Sequence, residues 1–215
     1  MPAFRRDLTA VVIASIMVLA MCTPLGEFLE ANLAAHMVAQ HFVFILAGFV
    51  YAYGIALMLL VGSRLSRKVL HMRDALESAN SIFNNGGIPT FTISALLIAY
   101  WYIPTNFDAA VLVESVHVEM HLTLLVVGVL IFIGSTQVAR RVRRIVPVIA
   151  GKAMGLYGMF LLLTPVNVYS IYSVSQQANA GVVLLIIMLV MDFTLVPAWL
   201  YEYFGTNDSG SAFSK

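Results

Sequence analysis

The chain has 215 residues, 60% of them hydrophobic and 11% charged, with a formal net charge of +1 and a mean hydropathy of +0.90. Soluble globular domains are nearer half apolar and a quarter charged, so this composition excludes an ordinary water-soluble domain and describes a chain solvated largely by lipid.

Crossing a hydrocarbon core takes about 20 helical residues. Six segments are long enough: Leu8 to Leu25, Asn32 to Gly62, Gly87 to Pro104, Ala109 to Val138, Pro147 to Pro165 and Ala180 to Phe204. The predicted fold class is all-α, a polytopic membrane protein with six transmembrane helices in one bundle. A single transmembrane domain is expected over residues 1–205, followed by a disordered cytoplasmic tail over 206–215. Arg5 and Arg6 ahead of the first run resemble a signal peptide, and Leu19-Ala20-Met21-Cys22 resembles a lipid-attachment site. Met21 stands where a small residue is wanted, so the first segment is expected to remain as a membrane helix. The lone cysteine, Cys22, allows no intrachain disulfide.

Basic residues mark sidedness. Arg5 and Arg6 precede the first segment, Arg64, Arg67, Lys68 and Arg73 follow the second, and Arg140, Arg141, Arg143 and Arg144 follow the fourth, whereas the opposite loops hold Glu27, Glu30 and Asp108. The positive-inside rule places both termini and the two basic loops in the cytoplasm, which accounts for these residues without a nucleic-acid partner. Between them, Arg67 to Phe83 has the pattern of an amphipathic helix at the cytoplasmic surface, broken by Asn84-Asn85-Gly86-Gly87. Tyr100-Trp101-Tyr102 and the later Trp199, Tyr201 and Tyr203 read as interfacial aromatic belts. Pro89, Pro165 and Pro197 mark helix ends or a kink.

Two histidine pairs lie in the second and fourth segments, where ionisable groups are expensive and usually functional: His36 with His41, and His117 with His121. Both segments run in the same direction, so depths compare directly. His41 is 21 residues from Gly62 (62 − 41) and His117 is 21 from Val138 (138 − 117), about 31 Å at the helical rise. All four histidines therefore fall near the extracytoplasmic edge. His117 and His121, four apart, share a helical face and can grip one ion. His36 and His41, five apart, diverge by about 140° on a regular helix unless a π-bulge realigns them. The expected site is a trio of His41, His117 and His121, with His36 as a fourth ligand or an entrance gate.

Imidazole suits copper, zinc and haem iron, and thioether sulfur favours Cu(I). Met37 and Met120 neighbour His36 and His121 in sequence, and Met21 and Cys22 end the first segment, a mixture that fits copper handling. Glu114 and Glu119 flank the second pair as acceptors for imidazole N–H groups or as solvated helix-start residues; Glu119 faces away from both histidines on its own helix. One haem b between His41 and His117 is the alternative, and a structural histidine that bonds to a neighbour explains any one of the four more readily than all four at one depth. Lys152 and Asp192 read as a structural ion pair rather than a proton relay. No nucleophile–base–acid set is present, so nothing points to a hydrolase or transferase.

The stretch Ala35-His36-Met37-Val38-Ala39-Gln40-His41 resembles the His-Met and Gln-His signature of the CtaG-like cytochrome c oxidase assembly factors. Ser115-Val116-His117-Val118-Glu119-Met120-His121 is similar to their second histidine-bearing helix, and Ser175-Gln176-Gln177-Ala178-Asn179-Ala180-Gly181 to their late polar turn. The likeness covers about residues 31–203, and small archaeal membrane proteins of unassigned function share it. The first motif here is one residue longer than the family's His-Met-x-Gln-His, and Ser175 stands where the family carries an acid. The resemblance implies a multi-pass cell-membrane protein concerned with copper or with maturation of a haem–copper oxidase, with His36, His41, His117 and His121 as the functional positions. The expected function is copper handling near the outer face, passing the ion by ligand exchange to respiratory oxidase subunits, with Met37 or Met120 as a transient soft ligand. Its rivals are a haem b redox subunit and a cofactor-free accessory subunit.

Overall fold

A computed structural model of the protein describes residues 2–63, 66–138, 143 and 145–205, and every element among the described residues is helical. The chain divides into two compact units, one reaching Gln137 and including Tyr169–Ile171, the other holding Val138–Val168 and the chain from Tyr172 onward. Among the described residues four helices are long and apolar enough to cross a membrane: Leu33–Gly62, Glu114–Gln137, Ile145–Leu163 and Val174–Ala198. Two bent pairs, Leu8–Met21 with Pro24–Glu30 at 70° and Arg67–Phe83 with Asn85–Tyr102 at 62°, raise that number to six if each forms one span.

In the first unit, α1 (Pro2–Met21) gives way to the short α2 (Pro24–Glu30). Thr23 caps α2 by accepting the Leu25 N–H at 3.3 Å, and Pro24 at the first helical position costs no hydrogen bond there. Asn32 then caps α3 (Leu33–Ala35), accepting the Ala35 N–H at 3.1 Å. The helix widens at once into a π turn over His36–Gln40 before continuing as α4 (His41–Ser63). The widening is visible in one bond, from the His41 N–H to the His36 carbonyl. A regular helix would bond four residues back rather than five.

The amphipathic helix read from the sequence is α5 (Arg67–Phe83). It ends at Asn84, whose side-chain oxygen accepts the N–H and the hydroxyl of Thr90 at 3.3 and 3.1 Å. Gly86 and Gly87 turn the chain at φ of 64° and 75°, a region glycine enters without strain. After them come α6 (Ile88–Tyr102), α7 (Pro104–Leu112) and α8 (Glu114–Gln137). The fourth segment expected over Ala109 to Val138 is thus two helices, because Val113 is extended at φ −125° and ψ 110°.

The contact that organises this unit is the crossing of α4 and α8. A Cβ on Gly48 would strike the carbonyl oxygen of Leu125, and one on Gly128 would strike that of Ile45. Reciprocal small residues let two backbones touch, the usual device of helix association in lipid. They also fix the register: Gly48 meets a residue 77 ahead (125 − 48) and Ile45 one 83 ahead (128 − 45), centred on 80. His36 with His117 (81 apart) and His41 with His121 (80 apart) fit that offset. The depth estimate from span ends had paired His41 with His117, one turn away. Span ends are set loosely by loops, whereas backbone contact admits no such slack.

The second unit pairs α9 (Ile145–Leu163) with α10 (Val174–Gly205), which begins six residues before the expected Ala180. Gly151 and Gly155 of α9 face Met191 and Met188 of α10. Gln177 is buried at the start of α10, accepting the Val168 N–H at 2.6 Å and donating to the Tyr172 carbonyl at 3.1 Å. Lys152 and Asp192 form the ion pair read from the sequence. Pro89 opens α6, Pro165 lies just beyond α9, and Pro197 sits inside α10. The expected tail over 206–215, together with Arg64, Arg140, Arg141 and Arg144, lies outside the described residues, as do the side chains of Trp199, Tyr201 and Tyr203.

Replacing Gly128 by Leu forces side-chain carbons against a backbone carbonyl. The expected cost is at least the roughly 1–3 kcal/mol of ordinary overpacking, read as a lowered melting temperature of the full chain in detergent. Val126→Leu on the exposed face of the same helix should leave the melt unchanged.

Candidate metal centre

The π turn decides which side chains of the second segment face inward. His36, Met37, Gln40 and His41 are all buried, at 0–3% exposure, while Phe42 beside them is 61% exposed. An i to i+5 turn brings residues five apart back toward one face. The His36 and His41 rings accordingly sit with centroids 5.0 Å apart, edge to face. From α8, His117 and His121 point the same way with Nε2 atoms 3.1 Å apart.

Three of the four histidines converge. One ring nitrogen each from His36, His117 and His121 lies within 4.8 Å of the others. His36 stacks beside His117 at 5.8 Å between centroids, and Phe44 stacks on His121 at 3.9 Å. The sequence-based ranking, with His41 completing the trio and His36 standing aside, is reversed in this geometry. The crossing register puts His36 opposite His117, and the wide turn rotates it inward. His41 lies next to the trio, 2% exposed, and neither of its ring nitrogens has a hydrogen-bond partner among the described residues. Buried polar groups are normally satisfied, so an imidazole in this state suits a ligand.

Two polar residues absent from the expected site join it. Glu30, the last residue of α2, has Oε1 3.3 Å from His117 Nε2 and accepts from Gln40 Nε2 at 2.9 Å on the same oxygen. The bend between α1 and α2 is what delivers it. In sequence Glu30 was only an acidic loop residue, and the capping residues Thr23 and Asn32 were the one local sign that the chain doubles back there. Glu114 and Glu119, the candidate acceptors flanking His117 and His121, are exposed; Glu119 lines a crevice of about 460 Å³ with Leu97 and Val126, and so faces away from the histidines as its spacing implies.

Aromatic rings close the rest of the shell. Phe107 of α7, fully buried, has its ring centroid 4.9 Å from that of His36 and 5.8 Å from that of His41, and 4.7 Å from that of Tyr169. Tyr102 lies edge-on to His41 and donates its hydroxyl to the Met37 carbonyl at 3.3 Å. Tyr169 donates to the Tyr102 carbonyl at 3.1 Å, and Asp108 accepts both the N–H and the hydroxyl of Ser170 at 2.9 and 2.7 Å. Of the expected aromatic belt Tyr100-Trp101-Tyr102, only Tyr100 is exposed; Trp101 is buried in the apolar core and Tyr102 belongs to the site.

The expected soft ligands sit differently. Met120 packs in the core with Phe44, Trp101, Ala110 and Leu124, Met21 packs against that cluster, Met37 is buried in the π turn, and Cys22 is exposed. Converging imidazoles with an adjacent carboxylate can hold one transition-metal ion.

With the site described, comparison with known proteins adds one match: the family model of the cytochrome c oxidase caa3 assembly factor (Caa3_CtaG) covers residues 6–204. No curated protein and no solved structure matches the chain.

Phe107→Ala removes the ring beneath both histidines of the π turn. Large-to-small changes at fully buried aromatics cost about 3–5 kcal/mol, so the variant should melt well below the parent chain, while Phe42→Ala on the exposed side of α4 should change the melt little.

Proposed function

The chain belongs to the cytochrome c oxidase caa3 assembly factor family, and from that premise we propose that it handles copper during assembly of a haem–copper oxidase. The observation that carries the proposal is the convergence of His36, His117 and His121 within 4.8 Å. Copper is cargo here. His117 and His121, one turn apart on α8, form the clamp, and His36 completes it from the π turn. His41, buried beside them with neither ring nitrogen hydrogen-bonded among the described residues, offers its lone-pair nitrogen as a neighbouring resting point. A ligand-exchange mechanism follows from this donor set: an ion held by neutral imidazoles leaves when a partner presents a better-fitting set, without covalent chemistry by the protein. The imidazoles, rather than Met37 and Met120, carry this role.

The same proposal includes six spans, both termini in the cytoplasm and the histidines toward the outer face. The basic loops support it through the positive-inside rule. On that side the site would meet oxidase subunits as they acquire their metal. Three nitrogens drawn so close favour a single ion over haem, whose axial ligands need to lie on opposite sides of a wide, flat slot. An accessory role without cargo gives the convergence of His36, His117 and His121 no ion to hold.

Purified full-length protein loaded with copper and freed of excess should retain about one ion per chain, counted by elemental analysis. The double variant His117→Ala/His121→Ala should hold copper at least tenfold more weakly, about 1.4 kcal/mol. In cells lacking the native protein, it should leave oxidase activity low unless copper is added to the medium. Stoichiometric haem in place of copper, or no metal affinity at all, overturns the proposal.

A further inference from the structure

We propose that Glu30 is a ligand of the same centre, making a site of three imidazoles and one carboxylate that selects a divalent ion, Cu(II) in the copper case, over Cu(I). The proposal rests on the reading that the histidine trio holds a metal.

The contacts around His117 Nε2 point to it. That nitrogen lies 3.3 Å from Glu30 Oε1 and 3.1 Å from His121 Nε2. A neutral imidazole nitrogen carries either one hydrogen or one lone pair, and an ionised carboxylate only accepts. A single N–H can favour one of these neighbours but is poorly placed to serve both. A cation held by the trio would draw the carboxylate in from the His117 side, since Glu30 is not in the group of ligand atoms that lie within 4.8 Å of one another. Neighbouring ligands at about 2.0–2.1 Å are spaced about 2.8–3.0 Å apart in the square-planar arrangement Cu(II) prefers and about 3.3–3.4 Å apart around a tetrahedral ion, so each of the two separations is one that neighbouring ligands can span.

Gln40 is the positioning residue. It is fully buried, it comes from the π turn, and its Nε2 donates to the oxygen that faces His117. Bonds of this kind hold a ligating carboxylate in its orientation and tune its affinity. Glu30 and His117 keep side-chain exposures of 19% and 15%, whereas His36 and His41 are at 0% and 2%. The carboxylate therefore stands at the open side of the centre, where an ion enters and leaves.

The donor chemistry sets the oxidation state. Carboxylate and imidazole suit divalent copper and zinc, whereas Cu(I) prefers thiolate and thioether. The nearest thioether in sequence to the clamp, Met120, is committed to the apolar core. Among the described residues no cysteine joins the trio, and Cys22 is exposed.

The test uses the full-length protein in detergent. Cu(II) affinity and the EPR spectrum are measured with copper chloride, and Cu(I) affinity by competition with a chromophoric Cu(I) chelator under reducing conditions. Glu30→Gln keeps the size of the side chain and an acceptor for Gln40. It should lower Cu(II) affinity at least tenfold and change the copper hyperfine splitting, with Cu(I) affinity within threefold of the parent. Glu27→Gln, an exposed position on the same helix, should alter neither. Should Glu30→Gln fail to fold, Gln40→Leu releases the carboxylate and should weaken Cu(II) binding alone. Parental Cu(II) affinity and EPR in the folded variants overturn the role of Glu30 while leaving the trio standing. An equal fall for both oxidation states overturns the selectivity. Absence of any copper binding by the parent chain removes the trio as well.

Discussion

Backbone touching backbone at Gly48 and Gly128 is the constraint from which the site follows. Lipid offers no hydrophobic drive for two apolar helices to associate, so close packing decides which helices meet and at what height. Both glycines lie seven residues along from a histidine, Gly48 from His41 and Gly128 from His121, and the two helices run in the same direction. Two turns of helix beyond the crossing, about 10.5 Å, the imidazoles are therefore brought level. Loops and span lengths play little part.

The crossing alone would not assemble the centre. On a regular helix His36 and His41 would point apart, and only the π turn gives both of them inward positions with Gln40 between. The bent junction of α1 and α2 then supplies the acid that an otherwise basic, aromatic pocket lacks. Phe107, Tyr102 and Tyr169 fill the remaining directions with rings, which leaves few places for water near His36 and His41. Polar groups gathered in so apolar a setting interact strongly and must be satisfied together, the condition under which a bound cation is most useful.

Much of this was legible in the chain. Hydropathy marked the long helices, and the Asn-Asn-Gly-Gly run and the amphipathic span before it fell where the structure has them. The four histidines were visible as a set because they are rare polar groups in apolar runs. What could not be read is equally specific. Val113 breaks the fourth span without proline or glycine, so no local signal announced it. Glu30 resembled a topology residue because its role depends on the bend between α1 and α2, where Thr23 caps the second helix. The order of His36 and His41 depended on the register of a crossing between residues 80 apart, and glycines mark such crossings only once both partners are known. Trp101 and Tyr102 followed the interfacial composition rule, yet tertiary packing took them inside.

The π turn over His36–Gln40 has a meaning in terms of phase, because it holds one residue more than a regular turn would. A helix is an angular ruler, and one additional residue would normally advance everything before it by about 100°. The wide turn absorbs that advance locally, so the capped segment carrying Glu30 and the crossing carrying Gly48 keep their own bearings. A turn of this kind lets a helix hold one residue more without dismantling the helix around it. That tolerance makes spacing in this stretch a poor guide to which imidazoles cooperate, and angular bearing a good one.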